Sequence, residues 1–210
     1  MRNFPMLVAA LAIAGSAQAA TTISSTNGPD AGPLAGQVVT YNFESGAPAG
    51  LTGNYTIATG SASGLYAAPL GDTTHYLVVP GAGASGSATL NLGLAYKSLS
   101  FYWGSIDTYN TVEFFDAGGV SLGSFTGSAV PPAPADGSTG SALNNRRVNF
   151  DFGGALATKV TFTSTSQAFE LDDIAGSAVP EPATWAMLIM GMSMVGVSVR
   201  RRRYLGSVAA

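Results

Sequence analysis

The chemically capable side chains of this chain are few, and nearly all are carboxylates. Glu113, Asp116, Glu170, Asp172 and Asp173 supply the acid/base pairs that glycoside hydrolysis needs. Asp107, Asn110, Asp116, Asp172 and Asp173 supply the oxygen ligands that Ca²⁺ takes, and Trp103, Tyr102 and Tyr109 are rings on which a sugar can stack. Spacing decides little among these. Adjacent residues of a strand point to opposite faces, so Asp172 and Asp173 make a poor acid/base pair by themselves. Asp107 to Asn110 and Asp116-Ala117-Gly118-Gly119 also read as turns whose Asx side chains bond their own backbone. His75 is the only histidine and falls in a strand pattern, where a lone imidazole reads as a half-buried structural residue. With no cysteine and one histidine, zinc-type catalysis and disulfide stapling are excluded. The expectation is a non-catalytic protein with no cofactor, or with Ca²⁺ at most.

The elements that would position these groups are strands. Charged residues are 10% of the chain against an ordinary figure of about 25%, and glycine reaches 27 residues, a profile of β-structure with many tight turns. Period-2 alternation recurs at 38–44, 54–58, 75–79, 87–92, 98–103, 111–115, 121–125, 147–152, 159–163 and 168–174. Leu99, Phe101 and Trp103 share one face, as do Val148, Phe150 and Phe152. No sustained helical period occurs in residues 20–179. The pattern predicts an all-β fold, an antiparallel jelly-roll-like β-sandwich with one core between two sheets, and a closed barrel is the alternative. The Gly/Ser/Ala-rich stretch 126–145, with Pro131-Pro132-Ala133-Pro134 inside it, holds too little apolar bulk to order itself and is expected as a long mobile loop.

Both ends stand apart from this body. Met1-Arg2-Asn3, an apolar run to Gly15, and small residues at Ala17 and Ala19 are the three parts of a secretory signal peptide over 1–19, with cleavage after Ala19 and a mature chain starting at Ala20. A buried N-terminal helix is the competing reading. Residues 182–199 carry no charge and are followed by Arg200, Arg201, Arg202 and Arg203. Eighteen helical residues reach about 27 Å at 1.5 Å per residue, close to a hydrocarbon core of about 30 Å. Apolar residues all round the helix argue for a membrane span over an amphipathic surface helix, and the arginines fall on the cytoplasmic side by the positive-inside rule, with 204–210 as a short cytoplasmic end.

Eleven of the twelve acids and four of the nine basic residues lie within 20–179, a net charge of −7 for the body. Affinity for polyanions comes from clustered Lys and Arg, and Arg146-Arg147 is the one basic pair there, so nucleic acid is excluded as a partner.

Pro180-Glu181-Pro182 followed by Trp185-Ala186, an apolar span and a basic cluster resembles the PEP-CTERM sorting signal in its PEPxxWA form, over 180–203. The resemblance implies handling by an exosortase, a membrane-embedded protease or transpeptidase, in bacteria that make exopolysaccharide. It also implies transit through the inner membrane, with the body in the periplasm, before arrival at the cell surface, the matrix or a biofilm. The extension 204–210 is longer than the family's usual ending. The prolines forbid regular helix or strand at the motif, and Trp185 prefers the interfacial depth, so the strip is expected extended at the outer membrane boundary. Ser98 through Phe114 is similar to a strand, turn and strand of exported proteins with this signal, and Phe169-Glu170-Leu171-Asp172-Asp173-Ile174 to their closing strand. Two alternatives remain for the body: a polysaccharide-binding module, with or without Ca²⁺, and a carboxylate-dependent glycosidase.

Overall fold

The computed structural model describes residues 20–132, 134–180 and 187–195. Eleven strands form one antiparallel sheet: β1 (Thr22–Asn27), β2 (Val38–Tyr41), β3 (Leu51–Gly53), β4 (Thr56–Ala58), β5 (Tyr76–Val79), β6 (Gly86–Gly104), β7 (Asn110–Phe115), β8 (Ser121–Thr126), β9 (Arg146–Asp151), β10 (Ala157–Ser164) and β11 (Phe169–Val179). The all-β, antiparallel expectation holds. The main pairing path is β4-β5-β11-β6-β10-β7-β8, with β1 on β9, β2 on β11, and β3 and β9 on β6. A jelly-roll order goes beyond what this path shows.

Strand β6 makes one sheet out of two layers. Its first half pairs with β3 and β10, and its second half with β9 and β11. The change of partners falls where the β10 register jumps from Asn91 to Tyr96, around Gly93 at φ 68°. Glycine takes this left-handed conformation without the Cβ clash that other residues meet, so the strand turns there and carries the sheet over onto itself. The alternation pattern accordingly reads as two strands, 87–92 and 98–103. The layers meet through aromatic side chains: Phe114 lies 4.7 Å from Phe150, and Phe162 lies 5.5 Å from both Phe101 and Phe169, while within one layer Trp103 stacks on its cross-strand neighbour Phe169 at 4.4 Å. Offset and edge contacts of this kind add to the apolar burial that drives collapse. β7 shows the expected alternation, with Val112 and Phe114 buried in the core. β5 is buried on both faces. Leu77 and Val79 enter the main core, whereas Tyr76 and Val78 join Ala58 and Ala168 in a second cluster beneath Tyr66 and Ala68. That second cluster supports the loop 61–72.

Two short strands lack an alternation signal. β1 is polar, and its place comes from backbone pairing with β9 from Thr22 opposite Asp151 to Asn27 opposite Arg146. β3 is three residues long and pairs with β6.

The stretch expected as a long mobile loop is tied to the body instead. Val130 and Asn144 are buried, and Asp107 forms a bridge with Asp136. The buried Asn145 amide donates to the carbonyls of Ser141 (2.9 Å) and Thr139 (3.2 Å), while its Oδ1 accepts from the backbone N–H of Leu70 (2.9 Å) and Ser105 (3.1 Å). Val130 in the core and this asparagine's hydrogen bonds together tie down a segment that has little apolar bulk.

The signal peptide with Ala17 and Ala19, and the motif residues Glu181, Pro182, Trp185, Ala186 and Arg200 to Arg203, lie outside the described residues. Residues 187–195 are helical, with Met187, Leu188, Ile189 and Met190 exposed. The expected span 182–199 lies partly outside the description, and no helix among the described residues is long and apolar enough to cross a membrane.

Candidate functional site

Two cavities open side by side at one end of the sheet. The larger, about 620 Å³, lies between the loop 61–72, the turn after β6 and the start of β11. Its deepest charged group is Glu170, 2% exposed, whose Oε1 accepts from the Ala67 N–H (2.9 Å) and whose Oε2 accepts from the Ser105 hydroxyl (2.8 Å). Ser105 reaches it from a backbone held at φ 36°, directly after β6. Burial outweighs these two donors and pushes the Glu170 carboxyl up to about 7. Asp107, on the same wall, is also pushed up, first by burial and further by the nearby Asp136. Tyr109 donates from its hydroxyl to the Gln167 carbonyl (2.8 Å), and Tyr66 meets Tyr76 edge-on at 6.3 Å. Both tyrosines line the cavity, among serine, threonine and glutamine side chains.

The smaller cavity, about 200 Å³, is walled by Asp30, Asp72, Asp172 and Asp173 with Thr74 and Tyr102. Asp172 and Asp173 do not point apart as a regular strand requires. The β11–β6 register slips between Asp172 and Ala175, and Asp173 sits at φ 51°, so the bulge turns both carboxylates toward one cavity. Asp172 is 5% exposed, and burial pushes its carboxyl up to about 8. The Thr74 hydroxyl lies 2.5 Å from Asp72 Oδ1 and 3.3 Å from Asp172 Oδ2. Its single proton goes to the nearer oxygen. Asp72 Oδ2 and Asp172 Oδ1 are buried with no hydrogen-bond partner. Beneath them Arg147, 3% exposed, donates to Asp30 Oδ2 at 3.0 Å. Burial lowers its guanidinium below the ordinary value and the surrounding aspartates oppose that shift.

The remaining candidates are structural or scattered. Asn110 is fully buried, donating to the Ala168 carbonyl (3.0 Å) and accepting from Ser164 (2.7 Å). Asp116 caps its own hairpin turn through the N–H groups of Gly118 and Val120, both at 2.8 Å. Glu113 accepts from Ser121 (2.7 Å) and lines neither cavity. Of the five Ca²⁺ candidates only Asp172 and Asp173 share a cavity, Asp107, Asn110 and Asp116 standing elsewhere, and among the described residues no three His, Cys, Asp or Glu are grouped to hold a metal ion. Trp103 is fully buried against Phe169, so it cannot stack on a sugar. His75 precedes β5 rather than lying in it, and its side chain is exposed beside Glu44 at 3.4 Å. Arg146 and Arg147 are both buried, Arg146 donating to Ser25 Oγ (2.8 Å), so the basic pair presents no cationic surface.

Asp30, Asp72 and Tyr66 escape a reading from sequence. Pro29-Asp30 and Gly71-Asp72-Thr73-Thr74 carry the composition of ordinary turns. Only tertiary folding puts them opposite β11.

A family model described as the PEP-CTERM protein-sorting motif matches residues 178–203. The chain therefore carries that sorting motif, and the match begins within the last two residues of β11. No curated protein matches the chain. A solved structure described as "CpGH89CBM32-6 produced by Clostridium perfringens" is similar at 14% identity and a TM-score of 0.33, covering 60% of this chain and 94% of that one.

Proposed function

We propose that this is an exported, non-catalytic protein of the cell envelope, extracellular matrix or biofilm, whose β-body is delivered by the C-terminal signal and processed by an exosortase. The observation that carries this reading is the junction. β11 ends at Val179, Pro180 follows, and the sorting motif starts at 178, so the body is joined to the signal without a linker. A cut near Glu181 would free the whole sheet from the apolar segment. The inner membrane holds the chain during transit, with the arginines inside and the body in the periplasm. The test uses a host with and without the sorting enzyme, and follows apparent mass and membrane fraction. Glu181→Ala keeps the apolar span and arginines and removes the charge between the prolines, so the unprocessed form should accumulate in the inner membrane. Replacing Arg200 to Arg203 by Asn should weaken retention instead. A wild-type chain that keeps its tail in a host possessing the enzyme overturns the sorting reading.

The larger cavity favours a second reading, that the delivered body binds polysaccharide. It combines tyrosine rings with hydroxyl and amide side chains in a space the size of small-molecule sites. A glycosidase is less well supported. Glu170 accepts two hydrogen bonds that fasten it to Ala67 and Ser105, and Glu113 lies outside both cavities.

A further inference from the structure

We infer that the two cavities are one anionic groove that takes a polymer bearing primary ammonium groups, an amino-sugar polysaccharide with free amines. The inference rests on the polysaccharide-binding reading and names the ligand class.

The cavities are contiguous, because Leu70, Gly71 and Asp72 wall both. Six of the body's eleven acids, Asp30, Asp72, Asp107, Glu170, Asp172 and Asp173, stand along this groove, and neither lining contains Lys, Arg or His. More than half of the body's acidic side chains therefore stand on one concave surface; burial raises Glu170 and Asp172 toward their neutral forms, and a cation that enters favours the charged ones.

Charge alone would be an acidic cluster and nothing more. The second observation is the pair of orphaned oxygens. Asp172, more than nine-tenths buried, lines the smaller cavity with Oδ1 unpartnered, and Asp72 Oδ2 on the facing loop is buried and unpartnered too. An ionised carboxylate oxygen buried without a donor is costly, and in the empty groove the proton that Asp172 keeps up to about pH 8 relieves that cost; an ammonium donor would take the proton's place. Arg147 does not supply it. Its Nη1 is given to Asp30, its Nε and Nη2 reach no acceptor, and one guanidinium offsets one of four carboxylates.

The form of the cation follows from the placement of the acids. A divalent metal needs several oxygens converging on one point, and no three acidic groups among the described residues do so. A primary ammonium has three N–H donors that reach separate acceptors at about 2.8 Å each, which suits oxygens spread over two loops and a strand bulge. The adjoining larger cavity, with Tyr66, Tyr109 and hydroxyl side chains, has the character of a surface for sugar rings and their hydroxyls. A polymer alternating rings and ammonium groups uses both halves.

The experiment is calorimetric titration of the full-length protein in detergent, at neutral pH, with a glucosamine hexamer, its fully N-acetylated counterpart, and CaCl₂ alone. Burial holds the Asp172 proton up to about pH 8, so an ammonium seated there should release it, and the heat should vary with the ionisation enthalpy of the buffer. The glucosamine hexamer should bind and weaken with added salt, and N-acetylation should cost about tenfold or more. The double variant Asp72→Asn/Asp172→Asn should lose about tenfold or more, with Glu113→Gln unchanged as the control. If the double variant fails to fold by circular dichroism, Asp72→Asn alone takes its place. Equal binding of both hexamers, binding unaffected by the Asn substitutions, no binding of the glucosamine hexamer, or an Asp172-dependent response to CaCl₂ alone overturns the inference. Processing of the tail is measured separately, so normal processing with an empty groove would refute the ligand and leave the sorting reading standing.

Discussion

Glu170→Gln should make the protein more stable at neutral and alkaline pH. Both hydrogen bonds of Glu170 survive the change, since the amide oxygen can accept from the Ala67 N–H and the amide nitrogen can donate to the Ser105 hydroxyl, which accepts as readily as it donates. Only the buried charge is lost. The carboxyl is raised from 4.5 to about 7, chiefly by burial, so the folded state holds a proton that the unfolded chain releases. Its contribution is fully present below about pH 4.5 and is lost as the pH climbs toward 7, a difference of about 3 kcal/mol. At about pH 8 the Gln variant should therefore exceed wild type by about 2–3 kcal/mol, equivalent to a melting temperature higher by about 5–10 °C for a body of this size. At about pH 4.5 the two should coincide within about 1 kcal/mol. Asp172 is raised in the same direction, so the slope of wild type alone does not isolate Glu170. The assay is a series of thermal melts by circular dichroism on both proteins, and the quantity read is their difference at each pH. A Gln variant that melts below wild type at about pH 8 would refute the reasoning, because the charge itself would then be holding Ala67 and Ser105.

Asn145→Ala should destabilise the fold by about 2–3 kcal/mol, because the N–H groups of Leu70 and Ser105 lose their acceptor, and limited proteolysis should then cut within 134–144 before the body unfolds. Trp103→Ala removes a fully buried core ring stacked on Phe169 of the neighbouring strand and should cost about 3–5 kcal/mol in a denaturant titration. N-terminal sequencing of the exported protein should read from Ala20, and a retained Met1 would contradict the signal-peptide assignment.

The C-terminal sorting motif was legible without coordinates because it is read as a linear order of residues. Motif, apolar span and arginines follow one another in the chain as a string, and no fold is needed to recognise them. The strands were legible for a related reason. Period-2 alternation at Leu99, Phe101 and Trp103, or at Val148 and Phe150, is imposed by the pleat, and the same residues form the core. β1 and β3 were not legible, because polar or three-residue strands are held by backbone pairing that leaves no side-chain signature. Nor was the anchoring of 126–145, which depends on Val130 entering the core, on the Asp107–Asp136 bridge and on Asn145 reaching Leu70 and Ser105 from far along the chain. The groove is the clearest case of what tertiary structure alone decided. A bulge at Asp173 reverses the alternation that would have separated it from Asp172, and the turns holding Asp30 and Asp72 face them only after β11 has paired in the middle of the sheet. Sequence periodicity describes which way a side chain points from a regular strand, and carboxylates converge here because the strand is irregular.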